Sequence, residues 1–598
     1  MPRVTAAMVA AGRTIGEPRL SPSGSDVAFV ATEDGVSRLV VVPAGGGSEV
    51  AVTGEPAPCA ARPLGGGVFD WTPDGSAVVY AAKPGGLWLQ PIGGGAARQL
   101  ASGRCGGPAV SPDGGRVAFD IDQQCIVVAF IDGSSSVVLR NDIDFALDPT
   151  WSPDGCTVAW MEWDVPAMPW DSSRVVIGVA DGSTEPRVIA GAEGIQVQQP
   201  RFAPDGRSIA FLCDESGWLN VTVLELDTGE MTSFADEHEH GPPTWGSGVR
   251  SFAWSPDGPS LAVCRNEDGF GSVVVWEPGA AARPIAKAVH GGLSWRNGRL
   301  AAARTGARTP TQIVVYEGEG LGERRTLAVG PALLADVELP EPEVVAWASD
   351  DGVTIPGRLY RPSGAGPLPM ICWIHGGPTD QWQVEWRPRF TYWLDRGWVI
   401  LVPDHRGSTG HGRPFTQALA GRWGELDVVD VASGMRAAVE RGWAQPDRLV
   451  VMGASAGGFT ALNVLASHPG LCAAGVDVYG VTDLFALDET DYRFEAHYLH
   501  SLIGPRPAYD DAYGSRSPVA RAEGIVDPLL VFQGRDDPVV SARQTESLVE
   551  RLTALGRKVE VHFYDGEGHG WSRAATVVDE LERTESFLHR HVFTGRTL

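Results

Sequence analysis

Short apolar runs recur along the first half of the chain, and each follows the turn-forming phrase Ser-Pro-Asp-Gly or a close variant of it. The phrase stands at Leu20–Gly24, Trp71–Gly75, Val110–Gly114, Trp151–Gly155, Phe202–Gly206 and Trp254–Gly258. The apolar runs that follow are Val27–Phe29, Val78–Tyr80, Val117–Phe119, Val158–Trp160, Ile209–Phe211 and Leu261–Val263. A weaker seventh copy is Trp295–Gly298, which is followed by Leu300–Ala302.

Each copy of the phrase predicts a hairpin. Proline presets φ for a turn, Asp-Gly supplies the later turn positions, and the residue before proline is held extended. The β-prone run after the glycine predicts a returning strand. The copies lie about 40 to 50 residues apart, which is typical of a four-stranded propeller blade. Six or seven blades fit this spacing, and we expect seven; the absence of a 3.6-residue apolar period argues against a helical solenoid.

The pattern changes in the second half of the chain. From Leu368 onward, apolar runs alternate with helix-length amphipathic stretches, which predicts a parallel sheet with crossover helices. The runs include Met370–Ile374, Val399–Val402 and Leu449–Met452. The stretch Leu339–Glu343, rich in proline and glutamate, marks a boundary. We therefore expect a β-propeller over residues 1–335 and a parallel α/β domain over residues 336–598.

The chain of 598 residues carries a formal charge of −26, from 48 Lys and Arg against 74 Asp and Glu. Nucleic acid and anionic membranes are therefore not expected as partners, because phosphate binding needs clustered basic residues. The acidity is interpreted as a solubility feature, with an acidic path for cationic substrates as the alternative. No apolar run approaches the ~20 residues of a membrane span, and the N-terminus lacks a secretory pattern. The eight cysteines are scattered singly, so free thiols and a cytoplasmic location are expected.

A candidate nucleophile follows one of the predicted strands. Gly453–Gly457 has the pattern Gly-x-Ser-x-Gly and stands between a predicted strand and a predicted helix. This is the context of a nucleophile elbow, in which glycines permit a tight turn that exposes the serine hydroxyl. Ser455 is therefore the predicted nucleophile, and the second domain is predicted to be an α/β-hydrolase.

Serine needs a base, and the base needs an acid that orients it. In α/β-hydrolases these follow the serine in the order Asp or Glu, then His. Asp537 lies after the predicted strand 528–532, and we prefer it to its neighbour Asp536. His569 lies in a glycine-rich loop after the next predicted strand, whereas His562 lies within that strand and is predicted to be structural.

Two backbone N–H groups are predicted to hold the oxyanion that forms during acyl transfer. One is that of Ala456, directly after the nucleophile. The other is that of Gly377 in the loop His375–Pro378, which follows an early strand. We find neither a metal-ligand cluster nor a nucleotide-binding fingerprint, so no metal and no organic cofactor are expected.

These motifs together resemble the prolyl oligopeptidase family of serine peptidases. The similar stretches are the His-Gly-Gly-Pro loop, 404–412, the elbow, 534–540 and 566–570. They look most like the acylaminoacyl-peptidase and dipeptidyl-peptidase-like branch. The resemblance implies a propeller that caps the active site and restricts it to short peptides and small amides. It also implies the triad Ser455, Asp537 and His569, with Gly377 and Ala456 as oxyanion donors. The chain departs from related sequences at Asp404-His405 and at His411.

Exopeptidases of this family hold the free amine of the substrate with glutamates, and Glu495 is the preferred candidate for that role. Glu162, Glu215 and Glu239 are further candidates. The predicted function is a serine peptidase on short peptides or aminoacyl amides, acting through an acyl-enzyme. The alternatives are an esterase or amidase for a small aminoacyl metabolite, and a non-enzymatic interaction platform on a decayed hydrolase. The sequence leaves the oligomeric state open, a homo-oligomer included.

Overall fold

The computed structural model describes residues 4–60, 66–330, 339–362, 366–489 and 492–594. Contacts between residues divide the chain into two compact units. One unit comprises Gly12–Ala332 and Gln383–Trp386, and the other comprises Met1–Ala11, Leu333–Trp382 and Arg387–Leu598. The predicted boundary between residues 335 and 336 lies outside the described residues.

The first unit is a β-propeller, and its described residues form seven four-stranded antiparallel sheets, as the repeats predict. Blade 1 has β1 Thr14–Leu20, β2 Asp26–Glu33, β3 Val36–Pro43 and β4 Val50–Ala51; blade 2 has β5 Phe69–Trp71, β6 Ala77–Ala81, β7 Leu87–Pro91 and β8 Arg98–Ala101; blade 3 has β9 Cys105–Val110, β10 Arg116–Ile121, β11 Cys125–Phe130 and β12 Ser136–Arg140. Blade 4 has β13 Phe145–Trp151, β14 Thr157–Trp163, β15 Arg174–Val179 and β16 Arg187–Ala190; blade 5 has β17 Val197–Phe202, β18 Ser208–Cys213, β19 Asn220–Glu225 and β20 Met231–Ser233. Blade 6 has β21 Phe252–Trp254, β22 Leu261–Glu267, β23 Phe270–Trp276 and β24 Arg283–Lys287; blade 7 has β25 Val289–Arg296, β26 Arg299–Gly306, β27 Thr309–Glu317 and β28 Glu323–Val329.

Every copy of the repeated phrase forms the turn between the first and second strands of its blade. The aspartate stabilises this turn. In blade 2 its side chain, Asp74, accepts hydrogen bonds from the hydroxyl of Thr72 and from the amide and hydroxyl of Ser76. These donors lower the pKa of Asp74 to about 2.

The tryptophan that precedes the phrase in alternate blades links neighbouring blades. The indole N–H of Trp71 donates to Arg19 O of blade 1, and those of Trp151 and Trp254 donate to Ala109 O of blade 3 and Arg201 O of blade 5. The local motif thus also sets the blade-to-blade register.

Apolar clusters lie between adjacent blades and close the ring. In the last interface, Ile15 and Phe29 of blade 1 pack with Ala301 and Ile313 of blade 7. Each blade consists of strands that are consecutive in the chain, so this side-chain packing, rather than a strand exchanged between the termini, closes the ring.

The second unit is an α/β-hydrolase domain with an eight-stranded sheet in its described residues, in the order β29-β30-β32-β31-β33-β34-β35-β36. The strands are β29 Glu343–Ala348, β30 Thr354–Tyr360, β31 Leu368–Ile374, β32 Val399–Pro403, β33 Ala444–Ala454, β34 Ala474–Val478, β35 Leu529–Gly534 and β36 Val559–Tyr564. β30 is antiparallel to both of its neighbours, and the pairs from β32 to β36 are parallel. The carboxyl ends of the parallel strands therefore meet at one edge, where sheets of this type place their sites.

Helices connect the strands, and their apolar faces cover the sheet. They are α1 Ala6–Ala10, α2 Pro388–Leu394, α3 Arg413–Gln417, α4 Leu426–Glu440, α5 Ala456–Ser467, α6 Leu484–Asp488, α7 Tyr498–Leu502, α8 Asp510–Arg516, α9 Ala542–Ala554 and α10 Ala574–Leu588. Short 3-10 turns span Glu319–Leu321, Arg493–Glu495 and Ala522–Gly524, and a π-helical turn spans His589–Phe593. The core packs strand residues such as Met370, Val451 and Val531 against Val431 of α4 and Leu462 of α5.

The first residues of the chain group with the hydrolase domain, although the sequence analysis placed them in the propeller. The amide of Val4 donates to Oδ2 of Asp395 (2.8 Å), and Arg396 donates to the carbonyl of Val4 (2.9 Å). Helix α1 also packs against α10 and α2. These contacts join residues that lie far apart in the sequence, and no local sequence pattern predicts such contacts.

Candidate active site

Ser455 lies at the turn between β33 and α5, with φ 55° and ψ −124°. This left-handed conformation is strained for a residue with a side chain, and the surrounding glycines make room for it. A Cβ on Gly457 would lie 2.5 Å from Ile374 O, and one on Gly453 would overlap Gly457 O. The strand–turn–helix that was predicted from the pentapeptide is thus present, and it raises the serine at the carboxyl end of the sheet.

The structure brings the three predicted side chains together in a hydrogen-bonded row. The hydroxyl of Ser455 donates to Nε2 of His569 (2.9 Å), and Nδ1–H of His569 donates to Oδ2 of Asp537 (2.8 Å). His569 is partly exposed, whereas the side chain of Asp537 is buried. The geometry is that of a nucleophile, a base and an orienting acid.

The carboxylate of Asp537 is held in place by the loop that carries it. Its Oδ1 accepts the amides of Val539 and Val540 (both 2.9 Å). Oδ2, which faces His569, also lies 3.4 Å from the side-chain amide of Gln533. Asp536, by contrast, is exposed. Of the two neighbouring aspartates, Asp537 is thus the one that bonds to His569.

Tyr479 was not among the predicted site residues, yet its ring packs on His569 with 4.7 Å between the ring centroids. It also contacts Trp571 edge-on at 5.1 Å. Burial raises the pKa of the Tyr479 hydroxyl to about 12. The signal that could have found it is its position directly after β34, at the same sheet edge as the other site residues.

The predicted oxyanion donors lie beside the nucleophile. Gly377 and Ala456 line the same cavity as Ser455. In the described part of the chain, neither of their backbone N–H groups donates a hydrogen bond to another residue. The arrangement leaves both donors available to an oxygen atom in the cavity, as an oxyanion requires.

The histidine before these glycines ties two loops together. Nε2 of His375 accepts a hydrogen bond from the hydroxyl of Ser408 (2.8 Å), and its Nδ1–H donates to Gly376 O (2.8 Å). His375 also stacks on His405, with 4.7 Å between the ring centroids. Burial lowers the pKa of His375 to about 3, so it is neutral. His375 therefore links the loop that carries Gly377 to the loop that carries Ser408.

The departures from the family pattern form a buried network. Both oxygens of Asp404 accept hydrogen bonds from the guanidinium of Arg358 (2.6 and 2.5 Å). Its Oδ2 also accepts hydrogen bonds from the side-chain amide of Gln381 and from Nε2–H of His411 (both 2.7 Å). These partners hold the pKa of Asp404 well below its usual range, against the effect of burial. The aspartate and the histidine are therefore mutually satisfied structural groups.

An apolar cavity opens beside Ser455. Its apolar wall consists of Trp423, Val481, Leu487, Leu499, Leu502 and Val540. Glu495, the predicted amine-binding residue, lies on the same wall and is the one acidic side chain there. Its position follows from the 3-10 turn Arg493–Glu495. No local sequence pattern indicates the apolar wall, since these six residues come from five separate segments.

The other candidate glutamates lie in the propeller unit. Glu162 is buried and accepts hydrogen bonds from Arg140 and from the indole of Trp160. Glu239 is also buried, and Glu215 is exposed. The carboxylate of Glu162 therefore joins blade 3 to blade 4.

Three further observations concern candidate chemistry elsewhere. Within the described ranges, no group of three or more His, Cys, Asp and Glu side chains is arranged to hold a metal ion. All eight cysteines are free thiols. Among the described helices, none combines the length and the apolar character needed to cross a bilayer.

Comparison with known proteins agrees with this geometry. Residues 382–594 match the Prolyl oligopeptidase family. The dipeptidyl aminopeptidase BIII of Pseudoxanthomonas mexicana is 31% identical over 267 residues, which are 42% of this chain and 39% of that protein. The match thus spans well under half of the length of this curated relative.

Solved structures match over nearly the whole length. A puromycin hydrolase has a TM-score of 0.88 and 28% identity, covering 99% of this chain and 96% of that one. A puromycin-hydrolyzing peptidase of Mycobacterium tuberculosis has a TM-score of 0.90 and 25% identity, with 99% and 97% covered. Residues 382–594 thus match the prolyl oligopeptidase family, and the whole chain is similar in fold to these two solved structures.

Proposed function

We propose that this protein is a serine peptidase that hydrolyses short peptides or aminoacyl amides through an acyl-enzyme. The observation that carries the proposal is the continuous row from Ser455 through His569 to Asp537, with 2.9 and 2.8 Å between the bonded atoms. Such a row converts a weakly nucleophilic hydroxyl into one that can attack a carbonyl carbon.

In the proposed reaction, His569 takes the proton of Ser455 as its oxygen attacks the substrate carbonyl. Asp537 holds the imidazole and stabilises its charged form. The N–H groups of Gly377 and Ala456 hold the oxyanion. His569 then gives the proton to the leaving amine, and water repeats the sequence on the acyl-enzyme.

Labelling with a fluorophosphonate probe tests the nucleophile. We expect Ser455→Ala to abolish labelling and His569→Gln to slow it by at least 100-fold, because the base is lost. His562→Gln is the matched control, since His562 of β36 stacks on Phe532 of β35. Labelling that persists in a folded Ser455→Ala variant would refute the assignment.

The apolar wall next to Ser455 supports a preference for apolar side chains on the acyl side of the cleaved bond. A charged side chain there would lose its hydration without gaining a partner of opposite charge in most of the cavity. We therefore expect the alanyl-anilide to exceed the aspartyl-anilide in kcat/KM by at least tenfold, because the cavity of about 20 Å³ suits a small side chain. Val481→Phe, which narrows the cavity further, is expected to reduce cleavage of the alanyl substrate much more than that of the glycyl substrate.

Glu495 is proposed to bind the free amine of the substrate. A carboxylate on an otherwise apolar wall attracts an ammonium group strongly, since little water screens the pair. Glu495→Gln is expected to raise KM for a free aminoacyl-anilide about tenfold and to leave an N-acetylated substrate unchanged. Equal effects on both substrates would remove Glu495 from this role.

Of the two proposed substrate classes, the likeness to puromycin-hydrolysing proteins over the full length favours small aminoacyl amides. Puromycin itself belongs in the substrate panel, beside dipeptidyl-anilides and simple esters. Ester turnover without any amide cleavage would contradict both candidates and favour an esterase. We further infer that the protein acts in the cytoplasm, where its eight free thiols stay reduced.

A further inference from the structure

A cavity of about 570 Å³ lies on the axis of the propeller, lined by residues of the first strand of every blade. Its charged wall residues are Arg19, Arg201, Arg250 and Arg296, with Asp70 as the single acid. Arg201, Arg296 and Arg19 come from blades 5, 7 and 1, and Arg250 lies two residues before the first strand of blade 6. Since these blades are consecutive around the ring, one side of the cavity is basic.

The connection between blades 5 and 6 brings Arg250 to the cavity wall. Ser247 donates to Asp120 of blade 3 (2.9 Å), Val249 O accepts from Arg201 of blade 5 (3.2 Å), and the carbonyl of Arg250 accepts from the amide of Leu293 in blade 7 (3.0 Å). The segment is therefore held by hydrogen bonds to three blades that do not neighbour one another, and these bonds fix the backbone of Arg250 at the wall.

The arginines differ in which ion-pair and hydrogen-bond partners their guanidinium groups have. Arg19 is almost fully buried and pairs with Glu17 through Nη2 (2.9 Å), but its Nε and Nη1 have no hydrogen-bond partner among the described residues. Arg201 pairs with Asp148 (3.0 Å). Arg250 forms no ion pair with any described residue, and its Nε is buried without a partner. Buried guanidinium N–H groups without acceptors are costly, and an anion bound in the cavity would offset part of this cost by placing negative charge beside these arginines.

The acids near this wall are buried. Burial raises the pKa of Glu17, while Arg19 acts against that shift, and burial raises the pKa of Asp120 to about 7. The chain as a whole has a net charge of −26. The wall of this cavity, with four arginines and one aspartate, instead carries a net positive charge.

We propose that the axial cavity binds a small phosphate-bearing anion, with Arg250 as the main ionic contact and Arg19 and Arg296 beside it. Guanidinium groups match phosphate oxygens in pairs and bind them more strongly than a point charge does. The volume falls within the ~300–1,000 Å³ typical of small-molecule sites. Trp71, Trp151 and Trp254 on the wall supply surface for an apolar part of the ligand. The proposal is independent of the hydrolase site.

Calorimetric titration of the full chain with pyrophosphate, at constant ionic strength, tests the site. We expect saturable binding with one site per chain, weakened at least tenfold by Arg250→Gln. Arg187→Gln is the matched control, because this substitution changes the charge by the same amount and Arg187 is exposed on the outer strand β16. It is expected to leave the affinity unchanged.

Arg296→Gln removes an exposed guanidinium at the rim of the cavity. This variant tests the site even if Arg250→Gln does not fold. We expect it to lower the affinity for pyrophosphate several-fold. Absence of binding to the wild-type protein, or equal affinity in the wild type and a folded rim variant, would overturn the proposal. Citrate is the second titrant. If citrate binds more tightly than pyrophosphate, the assignment to phosphate is wrong.

Discussion

The carboxyl group of Asp477 occupies the space in which Gly458 would otherwise carry a side chain. Asp477 lies on β34, where it is paired with Gly453 of β33, and Gly458 is in the first turn of α5. A Cβ on Gly458 would overlap Oδ1 of Asp477 and would lie 2.7 Å from the Cα of Gly480. The second glycine after the elbow is therefore required by packing against the neighbouring strand.

Gly458→Ala is expected to destabilise the hydrolase domain by about 1–3 kcal/mol, the range for overpacked sites. The sign of this stability change is informative, because replacing a helical glycine by alanine otherwise stabilises a protein by roughly 1 kcal/mol. Urea unfolding followed by tryptophan fluorescence measures the effect. Gly366→Ala is the control, since a Cβ there would meet nothing within 4 Å. A Gly458→Ala variant as stable as the wild type would contradict the packing argument.

Asp477 itself is expected to make stability depend on pH. Burial raises its pKa to about 8, compared with about 3.9 for an unfolded aspartate. The native state therefore holds a proton that the unfolded state releases between about pH 4 and pH 8, and stability falls as pH rises through this window.

Asp477→Asn removes this titration. Relative to the wild type, the variant is expected to gain stability by about 1 kcal/mol for each pH unit between pH 5 and pH 8. Urea midpoints measured across that range provide the test. Parallel curves for the two proteins would show that Asp477 does not titrate in this way.

Asp537→Asn is expected to lower kcat by about 10³–10⁴-fold, because an amide in this place favours the wrong tautomer of His569. Asp536→Asn, which alters the exposed neighbour by the same chemistry, is expected to stay within twofold of the wild type. Turnover of an aminoacyl-anilide measures both variants. A larger loss in Asp536→Asn would reverse the choice of acid.

Arg358→Met is expected to destabilise the hydrolase domain by about 3–5 kcal/mol, because it leaves Asp404 buried without its cation. The ion pair of Arg361 with Glu343 serves as the comparison, because Arg361 follows the same strand and its pair is exposed. Arg361→Met is expected to change stability by about 1 kcal/mol at most. Equal effects of the two substitutions on the urea midpoint would contradict the assigned role of burial.

Much of this architecture was predictable because its signals are local. Proline and Asp-Gly set each blade turn through the dihedral angles of adjacent residues. The elbow around Ser455 is likewise determined by five consecutive residues. The order of Asp537 and His569 after separate strands then followed from the parallel sheet, whose carboxyl ends share one edge.

Contacts between distant segments were decided only by tertiary structure. Packing placed Tyr479 on His569, grouped Val4 with Asp395, and left Arg250 facing the axial cavity. No periodicity or turn signal reports such contacts, since each depends on how whole elements stack and where the ring closes. Short-range backbone preferences thus determined which elements form, and the burial of their apolar faces determined which side chains meet.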